Sequence, residues 1–254
     1  CAVGVFPSEG VYVCALDAET GERAGDGRYC DRYTDMSLQG YILASAQHLF
    51  IPGGRAGPWL FDRATGKRQA QLGGGGGTYA LVTAGDSIIY GPGRNTPVLE
   101  EFGSEARDRL AVFPGAKHIV VTPARSYIST KTELFALDRE RWMTLGRELA
   151  QASEALEALE KDTSEHKALT EKIAGLGEER EACAKWRIEA TYPDALILVG
   201  DHVIAGGTNS VVAVNSSDGA QVWQADVDGT VKGLAAARGR LLVSTDARRL
   251  YCFD

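Results

Sequence analysis

The chain has 254 residues, of which 44% are hydrophobic and 24% are charged, and its formal net charge is −7. Such a length and composition are typical of a globular protein with a sizeable core. The acidic balance argues against a general binder of nucleic acid or of anionic membranes, and no apolar run reaches the roughly 18 residues of a membrane-spanning helix. We therefore expect no nucleic-acid partner and no membrane span.

A short motif recurs along the chain, in Ala15–Gly21, Leu60–Gly66 and Ala213–Gly219. In each copy a strand-like run ends in Asp or Asn, and a glycine follows four residues later. The Asp or Asn side chain accepts hydrogen bonds from the backbone just downstream, and the glycine provides a positive φ. The motif therefore predicts a tight turn between two strands.

A second series of hairpins lies upstream of the later copies. Their turn positions are Gln47, Asp86, Arg125, Asp201 and Gly239, separated by 39, 39, 76 and 38 residues. A four-stranded unit of about 40 residues is the period of a β-propeller blade. The pattern predicts an all-β propeller of four-stranded blades.

The interval of 76 residues indicates an insertion in one blade. Asn215 and Trp223 lie 8 residues apart in the intact copy, whereas the matching Asp138 and Trp186 lie 48 residues apart. The sequence thus predicts 40 inserted residues between the third and fourth strands of that blade. We expect propeller blades over residues 1–138 and 186–254, the first and last of them partial, and the insertion over 139–185.

Apolar residues within the insertion alternate at intervals of three and four, which is the seam of a coiled coil. They are Trp142, Leu145, Leu149, Ala152, Leu156 and Leu159, followed in a shifted register by Leu169, Ile173, Leu176 and Cys183. Asp162–Glu165 separates the two registers and is suited to begin a new helix. An antiparallel helical hairpin is predicted, either as a solvated spacer or as an arm that docks a partner helix or a neighbouring domain.

The repeat Ala-x-Asp/Asn-x-x-x-Gly-x-x-x-Trp, intact at Ala213–Trp223, resembles the tryptophan-docking repeat of PQQ-like (quinoprotein alcohol dehydrogenase-like) β-propellers. Gln39–Leu43, Ile51–Arg55 and Gly239–Thr245 resemble segments of the bacterial members found in planctomycetes, which carry a helical interruption. The resemblance implies that Trp223 docks one blade on the next. Family propellers commonly have eight blades and this chain supplies four complete ones, so we expect a partial propeller or a fragment.

The resemblance also raises quinone chemistry. The family's redox enzymes stack the quinone PQQ between a tryptophan and a disulfide of adjacent cysteines, and they bind Ca²⁺ through acidic and amide groups. The cysteines here are Cys1, Cys14, Cys30, Cys183 and Cys252, of which none are adjacent, and buried free thiols are their simplest interpretation. Asp226–Thr230 lacks the spacing of a calcium loop and predicts a β-turn between blades. We predict no cofactor and no catalytic or metal-binding residue; PQQ with Ca²⁺ is the alternative.

Two further segments bear on chemistry. The run Gly73–Gly77 precedes a strand rather than a helix, so it indicates a flexible linker and not a phosphate-binding loop. His48 and His202 share one repeat position, where Ser87, Ser126 and Arg240 also occur, which predicts a strand start near the surface rather than a metal site.

Four cations occupy the turns that join second and third strands: Arg55, Arg94, Lys131 and Arg248. Hairpin turns alternate between the two ends of a blade, so these turns are expected on one face of the propeller. On an acidic protein, such a set is suited to an anionic ligand or an acidic peptide; solvated turn cations are the alternative interpretation.

The expected function is that of a non-catalytic scaffold or binding module for a protein partner or a neighbouring domain of a larger polypeptide. The alternative is an enzymatic role, as part of a PQQ-dependent oxidoreductase or as the accessory propeller domain of a larger methyltransferase. Members of the family are often exported, which favours a periplasmic or exported setting. The cysteine pattern by itself does not decide the redox compartment.

Overall fold

The computed structural model describes residues 2–3, 10–23, 30–77, 79–93, 98–105, 107–161 and 163–254. The chain divides into two compact units, Cys1–Pro114 and Gly115–Asp254. In both units the regular structure consists mainly of antiparallel sheets in which each strand pairs with its neighbours in the sequence. This order follows from short hairpin connections, which leave no room for a crossover.

The first unit contains three sheets. Sheet 1 comprises β1 (Ala2–Val3), β2 (Val11–Cys14) and β3 (Cys30–Tyr33). Sheet 2 comprises β4 (Leu43–Ala44), β5 (His48–Ile51), β6 (Trp59–Asp62) and β7 (Arg68–Gln71). Sheet 3 comprises β8 (Tyr79–Val82), β9 (Ser87–Gly91), β10 (Leu99–Gly103) and β11 (Arg109–Phe113).

The second unit begins with sheet 4, formed by β12 (His118–Val121), β13 (Arg125–Ser129), β14 (Glu133–Asp138) and β15 (Ala184–Glu189). The remaining strands are β16 (Ala195–Val199), β17 (His202–Gly206), β18 (Thr208–Asn215), β19 (Gln221–Ala237), β20 (Arg240–Thr245) and β21 (Leu250–Phe253). The first half of β19 pairs with β18 and its second half pairs with β20. We therefore name sheet 5 (β16–β18 with residues 221–230) and sheet 6 (residues 231–237 with β20 and β21).

The expected β-turn at Asp226–Thr230 is wrong, because this segment is extended and lies within the 17-residue strand β19. Side chains from other connections bind its backbone amides, so the chain passes from sheet 5 to sheet 6 without turning. The amides of Asp228, Gly229 and Thr230 donate to Tyr251 Oη at 2.8 Å, Asn209 Oδ1 at 3.0 Å and Asp246 Oδ1 at 2.7 Å, respectively.

Successive sheets within a unit pack face to face, and the apolar core lies between them. Phe50 and Leu60 of sheet 2 pack with Ile88 and Phe102 of sheet 3, and comparable clusters join sheet 4 to sheet 5 and sheet 5 to sheet 6. A middle strand covered on both faces needs a continuous apolar run rather than an alternation, and β9 is buried along its whole length. The expectation of four-stranded blades is confirmed.

The insertion forms α1 (Arg139–Glu157) and α2 (Ser164–Glu181) between β14 and β15, as expected from the interrupted repeat. Asp138 and Thr163 cap the two helices by accepting hydrogen bonds from the amides of Arg141 and His166. Arg141 at the start of α1 pairs with Glu179 near the end of α2, at 3.1 Å, so the helices run antiparallel. The most deeply buried seam residues are Trp142, Leu145, Ala152 and Leu176.

Removal of residues 140–182, with an Asn-Gly turn in their place, is expected to abolish the helical circular-dichroism signal and to preserve the β signal. The physical reason is that the Asp138 amide already donates to the Cys183 carbonyl at 2.9 Å, so β14 and β15 are paired up to the base of the hairpin. We expect the unfolding free energy to change by less than about 3 kcal/mol, the value of one or two apolar side chains buried at that base. Loss of cooperative urea unfolding in this variant would show instead that the hairpin belongs to the core.

Candidate interaction surfaces

Three of the four turn cations lie among the described residues, and each is exposed in the connection between the second and third strands of its sheet. Arg55 follows β5, Lys131 follows β13 and Arg248 follows β20. Arg94 lies outside the described residues. Arg55 belongs to the first unit and the other two to the second. The assignment of these cations to one ligand site stays a prediction.

The glycine run Gly73–Gly77 packs tightly and is not the flexible linker that the sequence indicated. The Gly77 amide donates to the Gly54 carbonyl at 2.9 Å, beside Arg55. A Cβ atom on Gly93 would lie 2.2 Å from the Gly75 carbonyl oxygen, a distance that excludes any side chain. The run therefore holds the β5–β6 connection and the start of the β9–β10 connection close together.

Trp186 on β15 shows what the repeated motif does. Its indole Nε1 donates to the Ser216 carbonyl at 2.9 Å, in the turn between β18 and the first half of β19. A Cβ atom on Gly219 would lie 2.7 Å from the indole ring, and Gly219 has a φ of +76°. Only glycine meets both requirements. The Asx turn of sheet 5 is thus the surface on which the tryptophan of sheet 4 docks.

Trp223 holds the same position in sheet 5, since it pairs with Ala213 as Trp186 pairs with Ala136. Its surroundings differ, because it meets Phe253 of β21 edge to face, with 5.0 Å between ring centroids. Trp186 is buried, whereas Trp223 is only half-buried. Sequence reasoning treated the two indoles alike.

Sheet 6 exposes apolar side chains on the face that points away from sheet 5. Leu241 and Phe253 pair across β20 and β21 and pack towards sheet 5, so the alternate residues of these strands point the other way. We define the outer face of sheet 6 as Ala235, Leu242, Leu250 and Cys252, all of them exposed. The signal in the sequence was the apolar run Leu241–Val243, which supplies apolar residues to both faces of a strand.

His48 and Asp86 form a half-buried pair between sheets 2 and 3, with 2.7 Å between Nδ1 and Oδ2. Ser104 Oγ donates to the same Asp86 oxygen at 2.6 Å. Burial raises the pKa of the Asp86 carboxyl, but hydrogen bonds from Ser104, Ser45 and His48 outweigh it and lower the pKa below its ordinary value. The Ser104 hydroxyl binds the aspartate and not the imidazole, so the group lacks the serine–histidine contact of a nucleophilic triad. The pair joins two sheets.

Cys14 and Cys30 form a disulfide between opposite positions of β2 and β3. Buried free thiols were the simplest interpretation of the cysteines, and for this pair it is wrong, because antiparallel strand pairing brings together residues that lie 16 apart in the sequence. Cys183 is a buried free thiol at the base of the helical hairpin, and Cys252 is an exposed one. Cys1 lies outside the described residues.

The four tryptophans do not form the quinone clamp of the PQQ enzymes. Trp59 lies beneath Arg68, at 4.8 Å from the guanidinium carbon to the ring, and Trp142 lies beneath Arg180 at 3.9 Å. The other two indoles take part in the contacts between sheets, and the disulfide joins residues on different strands rather than adjacent cysteines. No group of three His, Cys, Asp or Glu residues suited to a metal ion occurs in the part of the chain that the structure describes. We derive no step through a quinone, and the cofactor expectation stays a prediction.

Four-stranded antiparallel sheets that follow one another along the chain and pack face to face are the blades of a β-propeller. The chain is therefore a β-propeller protein with a helical insertion in one blade. Residues 183–254 match the family described as outer membrane protein assembly factor BamB. With that match, the chain is a repeat protein of the PQQ-like β-propeller type, as its motifs implied.

Solved structures share this fold at low sequence identity. BamB from Moraxella catarrhalis is 14% identical with a TM-score of 0.56, and the match covers 99% of this chain and 77% of that one. The computationally designed Ika8 protein is 8% identical with a TM-score of 0.60, covering 99% and 69%. The dihydro-heme d1 dehydrogenase NirN is 12% identical with a TM-score of 0.59, covering 96% and 50%.

A search of curated protein sequences gave no match. Among the described residues, neither helix combines the length and the apolar character that crossing a membrane requires.

Proposed function

We propose that this chain is a non-catalytic propeller module that binds a protein partner or a neighbouring domain. The observation that carries the proposal is an overlap within one segment. Residues 183–254 match an assembly-factor family, and Val222, Leu242 and Leu250 in that segment are 52%, 37% and 71% exposed. Exposed apolar side chains in one region are typical of a protein-binding surface. The outer face of sheet 6 is the proposed contact.

The turn cations and the helical hairpin are proposed as further contact regions. Arg55, Arg94, Lys131 and Arg248 offer positive charge to an acidic peptide or another anionic ligand. The hairpin supports the proposal through its charged flanks, which suit a polar contact with a neighbouring helix or domain.

We also propose an extracytoplasmic setting for this binding. The Cys14–Cys30 disulfide supports it, because disulfides form and persist mainly in oxidising compartments. The description of the matched family, an outer membrane protein assembly factor, points in the same direction.

A capture experiment with matched variants tests the binding role. The chain, tagged at its N-terminus, is incubated with a cell-envelope extract of the source organism, and retained proteins are compared for wild type, L242E/L250E and Y41E. Tyr41 is the matched control, since it is also an exposed apolar residue, at 89%, but lies in the first unit. We expect a protein retained by wild type and Y41E and lost with L242E/L250E, because a buried carboxylate at a contact is costly.

The captured protein is then purified and titrated against the same three variants, with at least a tenfold loss of affinity expected for L242E/L250E. Identical retention by all three variants would contradict the proposal. Titration of the chain with PQQ and Ca²⁺ covers the enzymatic alternative: the scaffold role predicts no change in the quinone absorption spectrum, and stoichiometric uptake would favour a quinoprotein.

A further inference from the structure

We propose that a groove beside Trp223 binds a β-strand of a partner polypeptide, one that begins with an Asx-x-x-x-Gly turn and pairs with β21. The inference rests on the proposed function and names the kind of partner. It starts from a comparison of two equivalent places in the same unit, of which one holds such a turn.

In the contact between sheets 4 and 5, the turn Asn215–Gly219 lies on the indole of Trp186, with Gly219 against the ring and the Ser216 carbonyl bound to Nε1. In sheet 6, Asp254 stands where Asn215 stands in sheet 5, because Phe253 pairs with Leu241 as Val214 pairs with Val203. Trp223 therefore presents the surface on which a turn of this kind docks in the preceding pair of sheets.

A second feature of the repeat marks the same place. In three sheets the residue after the Asx position donates its amide to a carbonyl in the first hairpin of its own sheet. These hydrogen bonds are Arg63 to Gln47 at 2.8 Å, Arg139 to Ala124 at 3.1 Å and Ser216 to Asp201 at 2.8 Å. The corresponding hairpin of sheet 6 turns at Gly239, and Gly239 lines the groove. The groove thus presents the hairpin to which an incoming turn would bind.

The groove has a volume of about 400 Å³ and continues the buried cluster between sheets 5 and 6. Val222, Trp223, Leu241 and Phe253 supply its apolar lining, and Asp254 lies at its edge. β21 pairs with β20 on one side and is the outer strand of the sheet. An outer strand offers backbone groups to an added strand, and a pocket beside it selects the side chains of that strand.

Charge indicates an acidic donor. Sheet 6 carries more exposed cations than anions on a chain whose net charge is −7. The cations are Lys232, Arg238, Arg240, Arg248 and Arg249, against Asp246 and Asp254. The segment that fills the equivalent place in sheet 5, residues 215–226, has Asp218 and Asp226 and no Lys or Arg. An acidic strand with the repeat's turn complements both the shape and the charge of this edge.

The test uses this chain's own repeat as the probe. A peptide of residues 214–226 with a C-terminal fluorescein is titrated with the intact protein, and its fluorescence anisotropy is followed. We expect saturable binding at one peptide per chain. A peptide in which the glycine at position 219 is replaced by valine should bind at least tenfold more weakly, because the turn needs a positive φ and a bare contact with the indole.

In the protein, W223A should weaken peptide binding at least tenfold, whereas W59A, which removes a half-buried indole of the first unit, should leave it unchanged. Circular dichroism of both variants establishes that they are folded. Absence of saturable binding, or binding insensitive to both the glycine and Trp223, would overturn the proposal. Dimerisation of the chain that is abolished by W223A would assign the groove to a second copy and would overturn it too.

Failure of this proposal is distinguishable from failure of the proposed function. Leu242 and Leu250 lie on the outer face of sheet 6, whereas Trp223 and Phe253 lie on the face towards sheet 5. Capture that depends on Leu242 and Leu250 in a protein that binds no peptide would leave the binding module standing and remove only the strand donor.

Discussion

Replacement of Trp186 by alanine is expected to lower the unfolding free energy of the second unit by about 3–5 kcal/mol. The indole is only 8% exposed. It belongs to the apolar cluster between sheets 4 and 5 and donates a hydrogen bond to the Ser216 carbonyl. The substitution leaves both a cavity and a buried carbonyl without its donor. Urea unfolding followed by circular dichroism measures the loss.

Trp223→Ala is the matched control for this substitution. The repeat alone assigns both tryptophans the same docking role, but Trp223 is half-buried and meets a phenylalanine rather than a turn. Its replacement should therefore cost clearly less than that of Trp186, by about 2 kcal/mol. Equal losses in the two variants would show that the turn on sheet 5 adds nothing to the docking of Trp186.

A double-mutant cycle with Gly219→Ala separates the two parts of the contact. In the wild-type background the new Cβ atom would meet the indole at 2.7 Å and would also occupy a φ of +76°. In the W186A background only the backbone strain remains, about 1 kcal/mol. We expect a coupling energy above about 1 kcal/mol, whereas additivity within about 0.5 kcal/mol would contradict direct contact.

Loss of the Cys14–Cys30 disulfide is expected to lower the unfolding free energy of the first unit by about 3 kcal/mol, because the bond closes a short loop in the unfolded chain. The two cysteines are separated by 16 residues. The comparison is urea unfolding of wild type, C14S/C30S and C252S, since Cys252 is exposed and free. The C252S variant should match wild type.

Mass spectrometry after alkylation gives an independent readout of the same bond. In protein produced in an oxidising host, Cys14 and Cys30 should resist alkylation until a reductant is added, while Cys252 reacts at once. Equal labelling of all three thiols without reductant would contradict the disulfide, and with it one support of the extracytoplasmic setting.

Hairpin spacing and strand patterns in the sequence predicted the blades and the helical insertion, because these features depend on neighbouring residues. The Asp or Asn of the repeat binds backbone a few residues away, as Asn215 does with the Ser217 amide at 2.8 Å. The seam of the helical hairpin likewise follows from residues three and four apart on one helix face. Local geometry of this kind repeats wherever the motif repeats.

Contacts between sheets were beyond the sequence. The role of Gly219 under the indole of Trp186, the tight packing of Gly73–Gly77 and the pairing of His48 with Asp86 each join segments that lie far apart in the chain. The cysteine pair escaped prediction for the same reason, since only the register of β2 against β3 places the two thiols opposite each other.

The order of strands, the period of the repeat and the place of the inserted helices are properties of the amino-acid sequence alone, because short hairpins and turns form from adjacent residues. Which indole is covered and which is left half-exposed was decided by the stacking of whole sheets. Trp186 and Trp223 occupy the same place in the repeat, yet only Trp186 meets an Asx turn from the next sheet. Burial depends on what packs against a residue, and no local pattern records that.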